Sequence, residues 1–156
     1  MYLHSRNCEE DFVNFISKNR DRFSGGVVHS YTGTDTELKR LLDMDLYIGV
    51  NGCSLKTEEN LENVKKIPLD RLMIETDAPY CEIRNTHASR KYLGERIFKG
   101  KRKEKYNSEF LVKGRNEPCK VVEVLEVLSK LRGEEESVIA KACFENSCKL
   151  FNVNKK

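Results

Sequence analysis

Residues 26–52, GVVHSYTGTDTELKRLLDMDLYIGVNG, decide the fold class of this chain. A short apolar run is followed by an amphipathic segment and then by a second apolar run. The spacing predicts a strand over residues 26–29, a helix over Asp35–Asp43 and a strand over residues 46–50. Strand, helix and strand in this order form a βα unit whose two strands run parallel. The stretch therefore predicts an α/β fold with a parallel sheet.

The same alternation continues on both sides of this stretch. Before it, Tyr2–His4 has the character of a strand, and Glu9–Asn19 places its apolar side chains on one helical face. After it, residues 57–65 predict a helix capped by Thr57, and residues 72–75 predict a fourth strand. The first half of the chain is thus a series of βα units.

The pattern changes after Pro79. Residues 80–114 are basic and poorly periodic, which predicts a long insert on the side of the sheet where functional groups gather. Two helices are predicted to follow, over residues 117–131 with Asn116 as cap and over residues 134–151. The aromatic residues of the insert are Tyr80, Tyr92, Phe98, Tyr106 and Phe110.

Polar side chains stand at the end of each predicted strand. His4 and His29 end the first two strands, Asn51 follows the third, and Glu75 and Asp77 end or follow the fourth. The carboxyl ends of parallel strands meet at one edge of a sheet, and imidazole and carboxylate are ligands for Zn, Mn or Mg. His4, His29 and Asp77 are therefore candidate metal ligands. A plain Asn-Gly turn is the favoured interpretation of Asn51, and Glu75 is either a support for a ligand or a buried ion-pair partner.

The composition is that of a globular domain. Hydrophobic residues make up 38% of the 156 residues and charged residues 34%. No apolar run approaches the roughly 20 residues of a membrane span, and the N-terminus has no signal-peptide pattern. We expect an intracellular protein that is not secreted and has no membrane partner. Six cysteines at irregular spacings, without a C-x-x-C pair, are expected to be free thiols.

Positive charge is concentrated in one segment. Residues 84–115 hold eleven Lys and Arg against three Glu, although the whole chain has a net charge of only +3. This distribution favours a polyanion partner, with a solvated loop as the alternative. His87 is a candidate for phosphate contact or an exposed loop histidine, and Tyr80 or Tyr92 could stack on an unpaired base. The candidate cations for phosphate contact are Arg6, Arg84, Arg90 and Lys91.

Five motifs, taken in order, resemble those of the TatD family of metal-dependent deoxyribonucleases. The eukaryotic nuclear branch is the most similar, through NGCSLKTE at residues 51–58 and THA at residues 86–88. The resemblance covers essentially the whole chain and corresponds only to the C-terminal half of the family's domain. The five motifs are LHSR (3–6), VHSYTG (28–33), GVNG (49–52), IETDAP (74–79) and RNEP (115–118).

The resemblance implies a TIM-barrel type of fold and a reaction. Residues 1–156 would form a single partial domain, an incomplete barrel of about the last four βα units of a (β/α)8 barrel plus C-terminal helices. His4 and His29 would ligate one of two divalent ions (Mg, Mn or Zn), and Asp77 would ligate the other and take part in catalysis. The implied reaction is hydrolysis of DNA phosphodiester bonds, expected to be exonucleolytic. Glu117 would lie near the rim of the site and hold an arginine.

One departure from the family pattern leaves alternatives open. The family's H-x-H pair and its bridging Glu are absent from this sequence. Three explanations compete. The chain is an incomplete product of a longer gene, it pairs with itself or with a second chain that carries the missing N-terminal half, or it is a remnant that binds nucleic acid or metal without cleavage. A related hydrolase acting on a small substrate is a further alternative, against which the basic segment argues.

Overall fold

Four short strands form one parallel sheet in the order of the sequence. The computed structural model describes residues 1–95, 98–105 and 107–153; Tyr106 lies outside this part. The order is β1-β2-β3-β4, and every neighbouring pair is parallel, as the sequence predicts. The strands are β1 (Tyr2–His4), β2 (Val27–His29), β3 (Tyr47–Val50) and β4 (Leu72–Ile74).

Helices connect the strands and close the chain. The first three lie within the βα series, and their predicted positions are confirmed to within one residue. Thr34 caps α2 by accepting from the backbone N–H of Glu37 at 3.1 Å, and Thr57 caps α3 in a capping box with Asn60. The helices are α1 (Glu9–Asn19), α2 (Asp35–Asp43), α3 (Glu58–Lys65), α4 (Val121–Arg132) and α5 (Glu136–Phe151).

The predicted start of α4 is wrong. A 3-10 turn over Pro118–Lys120 precedes the helix, which begins at Val121 rather than at residue 117. Asn116 does not cap the helix, because its Oδ1 accepts from the backbone N–H of Glu117 at 3.1 Å, ahead of the 3-10 turn and of α4. Its side-chain amide donates to the carbonyl of Thr76 at 2.8 Å, which is a tertiary contact.

The basic insert contains little regular structure. It holds a 3-10 segment over Ala88–Tyr92, a second over Lys103–Lys105, and two strands of two residues each, β5 (Gly100–Lys101) and β6 (Leu111–Val112). The two strands pair with each other and not with the main sheet.

The two faces of the main sheet differ in how far other parts of the protein pack against them. Side chains alternate along a strand, and residues that pair between parallel strands point the same way. One face carries Leu3, Val28 and Ile48, which are buried against the helices. The other face carries Tyr2 and His4, which are exposed, and beside them a small apolar layer. That layer consists of Val27, Tyr47 and Met73, packed against Leu150 of α5.

The loops after β3 and β4 are joined by a disulfide between Cys53 and Cys81. The prediction of free thiols is therefore wrong for this pair. The spacing of 28 residues gave no signal, because only the parallel packing of β3 beside β4 brings the two loops together. Cys8, Cys119, Cys143 and Cys148 are free. No helix in the described part of the chain is long and apolar enough to cross a membrane.

Candidate metal centre

His4 and His29 meet at the C-terminal edge of the sheet. Paired positions in β1 and β2 place them side by side, and Nδ1 of His4 lies 2.9 Å from Nε2 of His29. Nδ1 of His29 lies 3.1 Å from the carboxylate oxygen Oε1 of Glu75. If this Nδ1 carries the proton and donates it to the carboxylate, Nε2 is left with its lone pair. In that tautomer the lone pair on Nε2 of His29 faces Nδ1 of His4.

Glu75 is the centre of a hydrogen-bond network at this edge. Its Oε1 accepts from the backbone N–H of Ser30 at 2.6 Å and from the side-chain amide of Asn51 at 3.0 Å. Its Oε2 accepts from the hydroxyl of Tyr2 at 2.5 Å. Together with His29, four groups from three strand ends are directed at one carboxylate. Glu75 therefore supports a candidate ligand, one of the two roles that the sequence left open.

A glycine leaves the space for this carboxylate. A Cβ on Gly49 would lie 3.2 Å from Oε2 of Glu75 and 3.2 Å from the Cα of His29. Both distances are tighter than ordinary van der Waals contact. Gly49 in β3 thus allows Glu75 to reach across from the neighbouring strand toward His29.

Asn51 takes part in the network as well as in a turn. Its Oδ1 accepts from the backbone N–H of Cys53 at 2.9 Å, which is the predicted turn contact. Its amide also donates to Ser30 Oγ at 3.0 Å, and the residue is fully buried. The interpretation as a plain turn is therefore incomplete.

Tyr2 is a part of the site that the sequence analysis missed. Its ring stacks on that of His29 with a centroid distance of 4.9 Å. Although the residue is largely exposed, desolvation of its hydroxyl, and then the hydrogen bond to Glu75, raise the pKa of the Tyr2 phenol well above its usual value. The signal was available, because Tyr2 stands two residues before His4 and side chains two apart share a face of a strand.

Asp77 lies in a tight turn beyond β4. Its φ is 52°, in the left-handed region that Asp tolerates better than most residues. Asn116 holds both sides of this turn: its side chain donates to the carbonyl of Thr76 at 2.8 Å, and its backbone N–H donates to that of Pro79 at 3.0 Å. Asn116 was predicted only as a helix cap, so its positioning of Asp77 was also missed.

His4 and Asp77 line one open cavity of about 770 Å³. Arg6, Lys56 and Arg84 line the same cavity, and none of these three cations makes an ion pair within the described residues. Arg6 and Arg84 were predicted as phosphate contacts, whereas Lys56 was not. Lys56 is held in place by its carbonyl, which accepts from the backbone N–H of Ala88 at 2.9 Å. These three cations could contact an anionic ligand, although the carboxylates of Glu59 and Glu82 line the cavity too.

Three other predicted residues make contacts within the protein. Arg90 donates to the carbonyl of Leu93 at 2.7 Å, and Lys91 pairs with Glu58 at 2.8 Å. Neither lines the cavity of His4 and Asp77. Glu117 accepts from Nε of Arg115 at 2.9 Å, but neither residue lines that cavity.

His87 is buried rather than exposed in a loop. It is only 8% exposed, and its Nδ1 has no hydrogen-bond partner among the described residues. Burial, and then the charges of Lys56 and Arg84, lower the pKa of His87, while the Gly52 backbone acts in the opposite direction. The structure does not bring His87 to the cavity wall.

The two imidazoles fit one side of a metal centre. Nitrogen ligands at about 2.0–2.1 Å from one ion lie roughly 2.9 Å apart at octahedral angles and roughly 3.4 Å apart at tetrahedral angles. The 2.9 Å between His4 and His29, which is also a hydrogen-bond distance, lies at the short end of this range. Among the described residues, however, no group of three His, Cys, Asp or Glu side chains is arranged to hold an ion. The chain therefore supplies two matched ligands and a nearby aspartate, but not a complete ligand set.

A parallel α/β sheet with functional-type residues at its carboxyl edge is typical of the class of TIM-barrel-like α/β folds. A comparison with protein families matches residues 1–152 to the family described as TatD related DNase. The chain belongs to this family.

Relatives agree in sequence and in fold. The chain is 42% identical over 154 residues to "Deoxyribonuclease Tat-D" of Schizosaccharomyces pombe, covering 97% of this chain and 49% of the relative. It is 32% identical to "3'-5' ssDNA/RNA exonuclease TatD" of Erwinia billingiae, covering 98% of this chain and 52% of that relative. The crystal structure of a TatD family hydrolase from Entamoeba histolytica matches with a TM-score of 0.91 at 34% identity, over 96% of this chain and 50% of the other. The chain thus spans about half the length of these relatives.

Proposed function

We propose that this chain carries the His and Asp part of a divalent-metal-dependent deoxyribonuclease that cleaves DNA from a strand end. The observation that carries the proposal is the His4–His29 pair, 2.9 Å apart and backed by Glu75. The names of the relatives support the reaction, since one is a deoxyribonuclease and another a 3'-5' ssDNA/RNA exonuclease. A nuclear or cytoplasmic location belongs to the same proposal.

The residues of the cavity have separate tasks in this proposal. His4 and His29 would hold one ion and Asp77 a second, of Mg, Mn or Zn. Bound divalent ions supply Lewis-acid polarisation of a phosphoryl oxygen and ease the loss of a proton from water. Asp77 would orient the attacking water and accept its proton. The water oxygen bonds to phosphorus while the bond to the leaving sugar oxygen breaks and that oxygen takes up a proton.

The phosphate contacts need charge rather than a particular base. Arg6 and Arg84 face the cavity without ion-pair partners in the described part of the chain, and they would neutralise phosphate beside Asp77. Arg90, Lys91 and His87 remain in the proposal only if the basic insert changes conformation on binding, because Arg90 and Lys91 are engaged by other groups of the protein and His87 is buried.

We also propose that further strands complete the barrel. Within the described residues, β1 and β4 each pair on one side only, and the face that carries Tyr2 and His4 is open. Closing the sheet would remove both edges and enclose this face. The added strands would bring the remaining metal ligands.

The test measures nucleotide release from end-labelled single-stranded DNA with Mg²⁺, Mn²⁺ or Zn²⁺. The chain is assayed alone and mixed with the first half of the Schizosaccharomyces pombe relative as a separate polypeptide. We expect release that EDTA abolishes and that Asp77→Asn lowers at least a hundredfold. Asp43→Asn, an exposed carboxylate of α2, is the matched control and should retain activity. Release that survives EDTA, or equal rates for Asp77→Asn and wild type, would contradict the proposal.

A second candidate is a non-catalytic protein that binds nucleic acid or metal. The incomplete set of ligands in the described residues favours it. It predicts DNA binding that falls with salt and is indifferent to EDTA, without nucleotide release under any of the mixtures. Unchanged binding after neutralising Lys101, Arg102 and Lys103 would count against this candidate.

A further inference from the structure

A second cavity adjoins the cavity of His4 and Asp77. It has a volume of about 440 Å³, within the roughly 300–1,000 Å³ typical of small-ligand sites. The two cavities share three lining residues, Glu82, Arg84 and Gly114. The second cavity therefore continues the surface of the first, with Arg84 at the junction.

The charges in the second cavity are only partly neutralised. Lys120 is buried and bound to Glu82 at 2.5 Å, so this pair contributes little net charge. Lys113 is exposed and, like Arg84, makes no ion pair within the described residues. Its backbone N–H donates to the carbonyl of Lys101 at 2.8 Å, which fixes its place beside β5. Two free cations thus remain, one at the junction and one on the wall.

An aromatic side chain completes the lining. Phe98 is half-buried and contributes to the wall of the second cavity together with Lys113. A ring beside free cations is the combination that binds a nucleotide, since a base stacks on the ring while its phosphate meets the charges. An acidic peptide would use the cations without needing the aromatic face.

We infer that the second cavity binds the nucleotide next to the phosphodiester held beside Asp77 in a single-stranded DNA. Arg84 and Lys113 would contact the intervening phosphates, and Phe98 would stack on the base. This inference rests on the proposed function for the assignment of the first cavity. It assigns part of the basic insert to holding a strand of more than one nucleotide.

The test is a binding titration of the whole chain in EDTA, where cleavage does not interfere. The probes are a fluorescent tetrathymidylate and thymidine 5'-monophosphate as competitor. Phe98→Ala should weaken tetranucleotide binding roughly five- to tenfold and leave mononucleotide binding within twofold. Lys113→Ala should weaken tetranucleotide binding at low salt, with a loss that shrinks as salt rises. Lys141→Ala, an exposed lysine of α5 that lines neither cavity, is the matched control.

Further variants keep the outcome decisive. Phe98→Leu keeps an apolar side chain but not the aromatic face, so it should lose affinity as Phe98→Ala does while melting like wild type. The inference is overturned if the tetranucleotide binds no more tightly than the monophosphate, or if Phe98 and Lys113 variants bind like wild type. Failure of the proposed function would appear separately, as absence of nucleotide release in the metal-containing assay while these affinities are unaffected.

Discussion

At the carboxyl edge of the sheet, Glu75 is 15% exposed, accepts hydrogen bonds from Tyr2, Ser30 and Asn51, and contacts the His29 ring. In the basic insert, Arg84 and Lys113 face open cavities without ion-pair partners in the described residues. The first region fixes its polar groups against one another before any ligand arrives. The second leaves its charges to be satisfied by a ligand. Rigid placement suits metal ligands, whereas adaptable cations suit a phosphate backbone of any sequence.

Removal of the Glu75 carboxylate should cause the largest loss of stability, because it removes the centre of the hydrogen-bond network at the carboxyl edge. Glu75→Ala leaves the His29 ring, the Asn51 amide and a backbone N–H without their acceptor, so we expect a loss of about 3–5 kcal/mol in the free energy of unfolding. Urea unfolding measures it. Glu62→Ala on the exposed side of α3 should change stability by less than about 0.5 kcal/mol. Equal effects of the two substitutions would show that the network is not formed.

The disulfide links the two regions, because Cys53 follows β3 and Cys81 begins the basic insert. Closure of a loop of this length restricts the unfolded chain by about 3–4 kcal/mol. We expect Cys53→Ser combined with Cys81→Ser, or a reducing agent, to lower stability by about that amount. Cys119→Ser, which removes an exposed free thiol, serves as control. A wild-type unfolding curve that is the same with and without the reducing agent would instead support free thiols at both positions.

Two arginines of the insert are expected to affect different properties: Arg84 affects DNA binding and Arg90 affects stability. Arg84→Ala should reduce the slope of log affinity against log salt by about 0.7 and change stability by less than about 0.5 kcal/mol. Arg90→Ala should do the reverse, losing about 1 kcal/mol of stability with its bonds to loop carbonyls while the salt slope stays constant. Salt titrations and urea unfolding of both variants provide the comparison. If both variants show the same salt slope and the same stability, the distinction between a ligand-facing Arg84 and a structural Arg90 is wrong.

The smallest expected effect is a pH dependence at His87. Burial, followed by the charges of Lys56 and Arg84, lowers the pKa of His87 in the folded chain. Below about pH 6.5 the unfolded chain takes up a proton that the folded chain resists, so stability falls as pH falls from about 6.5 to the lowered pKa. His87→Gln should therefore lose less stability between about pH 7.5 and 5.5 than wild type. An identical pH dependence of the two proteins would contradict burial of a neutral imidazole.

Much of the fold and part of the site could be predicted from sequence periodicity. The four strands and the first three helices lie where apolar spacing and capping residues put them, and His4 and His29 meet because their strands end at one edge. The roles of Tyr2 and Asn116 could not be predicted in this way. Tyr2 reaches Glu75 from 73 residues away, and Asn116 reaches Thr76 from 40 residues away.

The sequence by itself determined the parallel βα series, the row of ligand-type residues at its carboxyl edge and the concentration of positive charge in the insert. These features are local, because they follow from the side-chain periods of helix and strand and from residue type. Only the tertiary structure decided which polar side chains are buried or bound to other groups of the protein, and which remain available to a ligand. It buried His87, bound Arg90 and Lys91 to neighbouring groups, and left Lys56 facing the cavity. The physical reason is that a charged side chain is free or committed according to its neighbours in space, and those neighbours come from segments far apart in the chain.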